Sequence, residues 1–204
     1  MSITMEMRQN LIDSAVRVVA REGLDRTTTK LIAAEAGLNE AYIYRGFSSK
    51  EDLLRAALHM EDTRFVEYIT KHLSIMRLTG ISWKERCYLL FKYVWEFILE
   101  VPDDCRFYIR YYYSANFLKY ARDEHLECYR RLKMIASIAF KPDISISLLL
   151  HQMFETLLGY AARVNYGEMQ NDEQSCRTAF EQIYYFTAPH FKESVLTEEE
   201  KGVS

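Results

Sequence analysis

The stretch from Thr27 to Phe47, TTTKLIAAEAGLNEAYIYRGF, constrains this chain more than any other, because it fits two short amphipathic helices hinged at a glycine. Threonine at 27 or 28 can cap a helix by accepting a hydrogen bond from a backbone N–H that has no partner within the helix. Leu31, Ile32 and Ala36 then fall on one face of a helix over 27–36. Gly37 suits a left-handed turn just past that helix end, and Asn39 is a strong cap for a second helix running to about Phe47. In that helix Ile43 and Phe47 point one way, while Glu40, Ala41, Tyr44 and Arg45 lie away from their seam. Met5 to Glu22 supplies a third helix, with Leu11, Ala15, Val18 and Val19 as its stripe and Gly23 as its stop. Three short helices around one small core make a helix-turn-helix module whose outward face suits a DNA groove.

The run from Leu11 to Leu54 resembles the N-terminal domain of the TetR family of transcriptional regulators. The resemblance rests on Glu22-Gly23, Thr27-Thr28, Ile32-Ala33, Ala36-Gly37, Ile43-Tyr44, Phe47 and Lys50-Glu51, all in one register. It departs from the family pattern at Gly46, where an aromatic residue or histidine is common and DNA is often touched. What the resemblance implies is backbone positioning by Thr28, Thr29, Tyr44 and Lys50, with Lys30, Glu40, Ala41, Tyr42 and Arg45 as candidates at or beside base edges and Asn39 at the cap between them. The chemistry agrees: hydroxyls and ammonium groups suit phosphates, and arginine can read guanine bidentately.

Charge qualifies this expectation. The whole chain is at −3, but its first 50 residues carry seven Lys/Arg against six Asp/Glu, and the remainder 19 against 23. The acidic excess therefore lies outside the reading head, which is itself close to neutral, so affinity for random DNA should be modest.

The rest of the chain reads as all-α. Glycine (7) and proline (3) are scarce among 204 residues, 49% of which are hydrophobic. The expected division is a DNA-binding domain at 1–49 and a helical effector-binding and dimerisation domain at 50–204. A long helix from Lys50, capped by Ser48 or Ser49, carries Leu53, Leu54, Ala57, Leu58, Phe65 and Ile69 inward; a break at Thr79-Gly80 follows. A helix over 82–101 with Leu89, Leu90, Tyr93, Phe97 and Ile98 inward ends at Pro102, and helices over about 103–113 and 123–140 succeed it. Two more, at about 145–166 and 172–189, form an antiparallel hairpin. Glu198-Glu199-Glu200 with Lys201 reads as a solvated end. No apolar run approaches the roughly 20 residues of a membrane span, and the start of the chain lacks a signal-peptide pattern, so a cytoplasmic protein is expected.

Two further constellations bear on function. Trp95, Arg106, Phe107, Tyr108, Arg110, Tyr111 and Tyr112 either form core or line a cavity with polar handles, which would suit an aromatic or amphipathic small molecule. The resemblance places an effector pocket in this part of the body. In the last hairpin, apolar residues fall on more faces than a monomer need bury. A two-fold dimer is expected, with Leu150, Met153, Leu157, Ala161, Phe180, Ile183 and Tyr184 at its interface.

The four cysteines lack metal or redox spacing, and His151 with Glu155 lacks a third ligand, so no metal or other cofactor is assigned. No nucleophile, acid and base group is apparent, which argues against an enzyme. The reading is a ligand-responsive regulator, repressive in sign, that binds palindromic operator DNA as a homodimer. The alternative left open by Gly46 and the near-neutral head is a dimeric helical interaction protein without DNA affinity.

Overall fold

The structure, a computed structural model, describes residues 4–196. The fold is all-α, and among the described residues the only β feature is an isolated antiparallel bridge between Phe140 and Phe191. The acidic Glu198–Lys201 segment lies outside the described residues. Contacts divide the chain into two compact units, one running to Arg64 and taking in Val101–Cys128, the other combining Phe65–Glu100 with the chain from Tyr129 onward. The unit holding the reading head also takes in much of the long helix and the segment at 101–128.

In the first unit, α1 (Met5–Glu22) starts where the Thr4 hydroxyl accepts from Met7 N–H and stops at Gly23, whose φ of +86° needs a residue without Cβ. Its buried side chains go beyond the expected stripe, adding Ile12, Val16 and Ala20, because both α2 (Thr29–Glu35) and α6 (Pro102–Tyr112) pack on it. Thr28 is the cap of α2, accepting from Leu31 N–H, while Thr27 is buried with its hydroxyl donating to Gly23 O at 2.6 Å. Leu31, expected inward, is exposed; Ile32 and Ala33 carry the contact.

The turn at Gly37 (φ +68°) leads to Asn39, whose side chain accepts from Ala41 N–H. The second helix opens as a 3-10 turn, Glu40–Tyr42, before α3 (Ile43–Gly46), with Ile43 and Phe47 buried as expected. At the start of α4 (Lys50–His72) the capping is reciprocal: Ser49 Oγ accepts from Asp52 N–H at 3.1 Å, and the Asp52 carboxylate accepts from Ser48 N–H at 2.9 Å.

In the second unit, α5 (Trp83–Glu100) buries Trp83, Tyr88, Val94, Trp95 and Leu99, not the face led by Leu89, Tyr93 and Phe97. Apolar residues run round most of this helix, so spacing alone did not single out the buried side. The helix expected over 123–140 is α7 (Arg122–Ala136), entered through a wide π-type turn at Phe117–Ala121. It ends early because Phe140 is taken by Phe191: the rings stack at 4.7 Å, and Lys192 N–H donates to Ala139 O at 2.9 Å. The hairpin is α8 (Ile146–Asn165), capped by Ser145, and α9 (Glu173–Thr187), capped by Asp172.

Candidate nucleic-acid interface

The outward side of the helix-turn-helix gathers most of the residues assigned to DNA. Thr28, Lys30, Asn39, Ala41, Tyr44 and Arg45 are exposed; Thr29, Glu40, Tyr42 and Lys50 are half-buried. The half-buried group is tied in place. Thr29 donates its hydroxyl to the Glu40 carboxylate, joining the start of α2 to the start of the second helix. Lys50 Nζ donates to Thr27 O at 2.9 Å, which holds the ammonium beside the α2 cap with further protons available. The Arg45 guanidinium lies over the Tyr42 ring, 4.7 Å from its centroid, which restricts it before any partner arrives. Tyr44, 59% exposed, offers its hydroxyl outward. This surface can therefore donate hydrogen bonds from hydroxyl, ammonium and guanidinium groups, with its nearest carboxylate already engaged by Thr29.

Sequence reasoning missed the residues that hold the head. Arg110 on α6 reaches the C-terminal end of α1, where Nη1 donates to Val19 O at 2.7 Å. Glu51, in the first turn of α4, accepts from the Tyr111 hydroxyl and from Asn116 Nδ2, the latter at 2.7 Å. Deeper along α4, buried Asp62 accepts from the Tyr108 hydroxyl at 2.6 Å and lies 3.0 Å from His125 Nδ1 on α7. No local motif announces these partners, since each joins residues 46 or more positions apart.

These contacts change the reading of the aromatic constellation. Phe107, Tyr108, Tyr111 and Tyr112 come together on α6 within the first unit, and all four are buried. Their rings fill the interior, and the hydroxyls of Tyr108 and Tyr111 are committed to carboxylates. Arg110 is committed to Val19, and Arg106 pairs with Asp103 at 3.3 Å. Trp95 is buried in the other unit, against Phe91. In this structure the five aromatic residues of the constellation are buried and its two arginines are paired within the chain.

A cavity of about 390 Å³ lies instead within the second unit, lined by Tyr68, Glu96, Phe97, Leu99, Glu100 and Asn171.

Of the seven residues expected at a dimer interface, four are buried within the chain and three are half-buried. Leu157, Ala161, Phe180 and Ile183 are buried inside the chain, and Met153 and Tyr184 pack on the cluster of Trp83, Phe140, Leu149 and Phe191; Leu150 is half-buried. The apolar side chains that α8 and α9 leave outside are Leu148 and Tyr185, 69% and 83% exposed. Burial pushes the Cys176 thiol up to about 11, away from thiolate chemistry. His151 Nε2 lies 3.6 Å from Glu155, and no group of three His, Cys, Asp or Glu suited to a metal occurs among the described residues. No helix among them is long and apolar enough to cross a membrane.

The comparisons with known proteins agree with this geometry. Residues 11–57 match the model of bacterial regulatory proteins, tetR family. The family likeness is to this segment, not to the whole chain. The chain is 39% identical over 54 residues, 26% of its length, to the HTH-type nicotine-responsive transcriptional repressor of Paenarthrobacter nicotinovorans, and the match spans 28% of that relative's length. The fold extends further. A putative tetR family transcription regulator of Shewanella sp. PV-4 superposes with a TM-score of 0.73 at 18% identity, covering 92% of this chain and 99% of that one. The transcriptional regulator FadR of Bacillus subtilis, solved in complex with stearoyl-CoA, gives 0.66 at 20% identity over 86% and 96%. Beyond the TetR-type head, these likenesses establish the fold alone.

Proposed function

We propose that this chain is a ligand-responsive transcriptional repressor that binds a palindromic operator in double-stranded DNA as a homodimer. The observation that carries the reading is the TetR-type head itself, with Tyr44, Arg45 and Lys30 exposed on one side and Ile32, Ile43 and Phe47 buried on the other. In the proposed roles Thr28, Thr29, Tyr44 and Lys50 fix the head on phosphates, and Arg45, Lys30, Tyr42, Glu40 and Ala41 stand at or near base edges. Homodimerisation gives two such heads, and exposed Leu148 and Tyr185 provide apolar surface on the hairpin for it. Release by a small molecule is supported by relatives that are nicotine-responsive or hold stearoyl-CoA.

Selection from random duplex DNA at 50 mM salt tests the reading. Recovery of a palindromic sequence is the expected outcome; absence of any enriched sequence overturns it in favour of a helical interaction protein, the reading to which Gly46 and the near-neutral head point.

A further inference from the structure

The cavity in the second unit has a definite chemical character. Its rings belong to a stack in which two rings of α4, Tyr68 and His72, lie between two of α5, Phe97 and Tyr93. Phe97 lies 4.4 Å from Tyr68, Tyr68 4.4 Å from His72, and His72 4.4 Å from Tyr93, with interplanar angles of 28°, 38° and 24°. The inner rings, Tyr68 and His72, are each held between two neighbours, and His72 Nδ1 is within 2.8 Å of Tyr68 O. Leu99 supplies apolar wall, and Asn171, from the turn before α9, a neutral polar edge.

Over this aromatic surface stand two carboxylates, Glu96 and Glu100, spaced four apart and so on one face of α5. Both are exposed, and neither is ion-paired among the described residues. Lys92, one turn before Glu96, is drawn instead to Glu173 at 2.7 Å. The potential of the two carboxylates reaches the cavity: burial first, then Glu96 and Glu100, push the Tyr68 hydroxyl above its ordinary value. Negative charge beside an aromatic and apolar wall in one concavity favours a cationic guest with an apolar body, because the carboxylates attract positive charge and the wall takes apolar surface.

We propose that the cavity bounded by Tyr68, Phe97, Leu99, Glu96, Glu100 and Asn171 binds an organic cation, an ammonium group carried on an aromatic or aliphatic body. The ammonium sits beside the carboxylates of Glu96 and Glu100, and the body lies along Phe97 and Leu99. The volume, near the lower end of the roughly 300–1,000 Å³ typical of ligand sites, selects a small guest. A divalent metal fits poorly, since two carboxylates on one helix face give it too few ligands.

The site also has a route to the reading head along the chain. Tyr68 stands on α4, whose first residue is Lys50, and Glu100 is two residues before Pro102, the first residue of α6. This names the effector class for the ligand response proposed above. The binding claim itself stands without DNA.

Calorimetric titration of the full chain without DNA, with phenyltrimethylammonium and its uncharged isostere tert-butylbenzene, tests it. The cation should bind about tenfold or more tightly than the isostere. The double variant Glu96→Gln with Glu100→Gln should lose about tenfold in affinity for the cation, and Phe97→Leu about threefold, with thermal midpoints unchanged for the exposed Glu pair. Equal affinity for both probes, no cation binding up to 10 mM, undiminished binding by the double Gln variant, or displacement of the cation by 1 mM Ca²⁺ would each overturn the proposal. Failure here leaves DNA selection untouched, and failure of DNA selection leaves this titration interpretable.

Discussion

At Arg64 one guanidinium nitrogen donates to Glu61 at 3.2 Å and to Asp104 at 2.9 Å, so two partly or fully buried carboxyls share a single cation. Burial, reinforced by Asp104, pushes the Glu61 carboxyl up to about 7, with Arg64 opposing; burial likewise raises Asp104. The folded chain therefore holds protons that the unfolded chain has released between about pH 4.5 and pH 7. The stability this pair contributes is lost as pH rises through that window. Glu61→Gln removes the penalty of ionising a buried carboxyl. Urea denaturation at pH 5, 6, 7 and 8 should show the variant more stable than the parent at pH 8 by about 1–2 kcal/mol, with little difference at pH 5. A parent whose stability rises from pH 5 to 8 is incompatible with this assignment. The same scale shows what a sequence cannot disclose: Glu61 and Asp104 are 43 positions apart and become one electrostatic unit only through packing.

Among the elements, α6 carries the clearest consequence. Tyr111 is fully buried, and both its ring and its hydroxyl are committed within the first unit. Tyr111→Ala should therefore cost about 3–5 kcal/mol, and DNA binding and folding should fail together in circular dichroism and gel shifts. Arg110→Ala removes one of two donors to Val19 O, which keeps the Gly23 N–H at 2.9 Å, for a smaller loss of about 0.5–1.5 kcal/mol seen in the same melts.

The hairpin separates two kinds of apolar residue in a similar way. Leu157→Glu and Phe180→Glu place a charge inside the chain and should yield unfolded or insoluble protein. Tyr185→Glu together with Leu148→Glu should yield a folded monomer by sedimentation, because those side chains are already in water. A folded, dimeric double variant would remove this face from the proposed interface.

Element existence was legible in spacing, caps and glycine stops: Thr28, Asn39, Ser145 and Asp172 all cap as their residue types suggest. Buried faces were legible only where one stripe was apolar. On α5 apolar residues on several sides hid which face met the core and which met solvent. The cavity was illegible for another reason: Tyr68, Glu96 and Asn171 come from three separate segments.

For the whole molecule, the reading surface is small. One 3-10 turn and the four residues of α3 carry most of the proposed base-facing groups, and the head is near neutral. A single head neutralises few phosphates, so useful affinity requires two heads engaged at once, on half-sites about one DNA turn, roughly 34–36 Å, apart. Inserting five base pairs between the half-sites of the selected operator should rotate them to opposite sides of the duplex and reduce affinity to that of a half-site. Salt dependence then separates the roles within each head. Lys50→Ala should weaken all sequences alike and lower the slope of log K against log salt by about one for each head bound. Tyr44→Phe should weaken all sequences with the slope retained, because only a neutral donor is lost. Arg45→Ala should relax preference at one base position per half-site, at roughly 1–3 kcal/mol if the contact to guanine is bidentate. Fluorescence anisotropy between 50 and 200 mM salt, on the selected operator and on single-base variants, measures all three. A Lys50→Ala slope equal to the parent's would place that ammonium off the phosphates and leave it only its bond to Thr27 O.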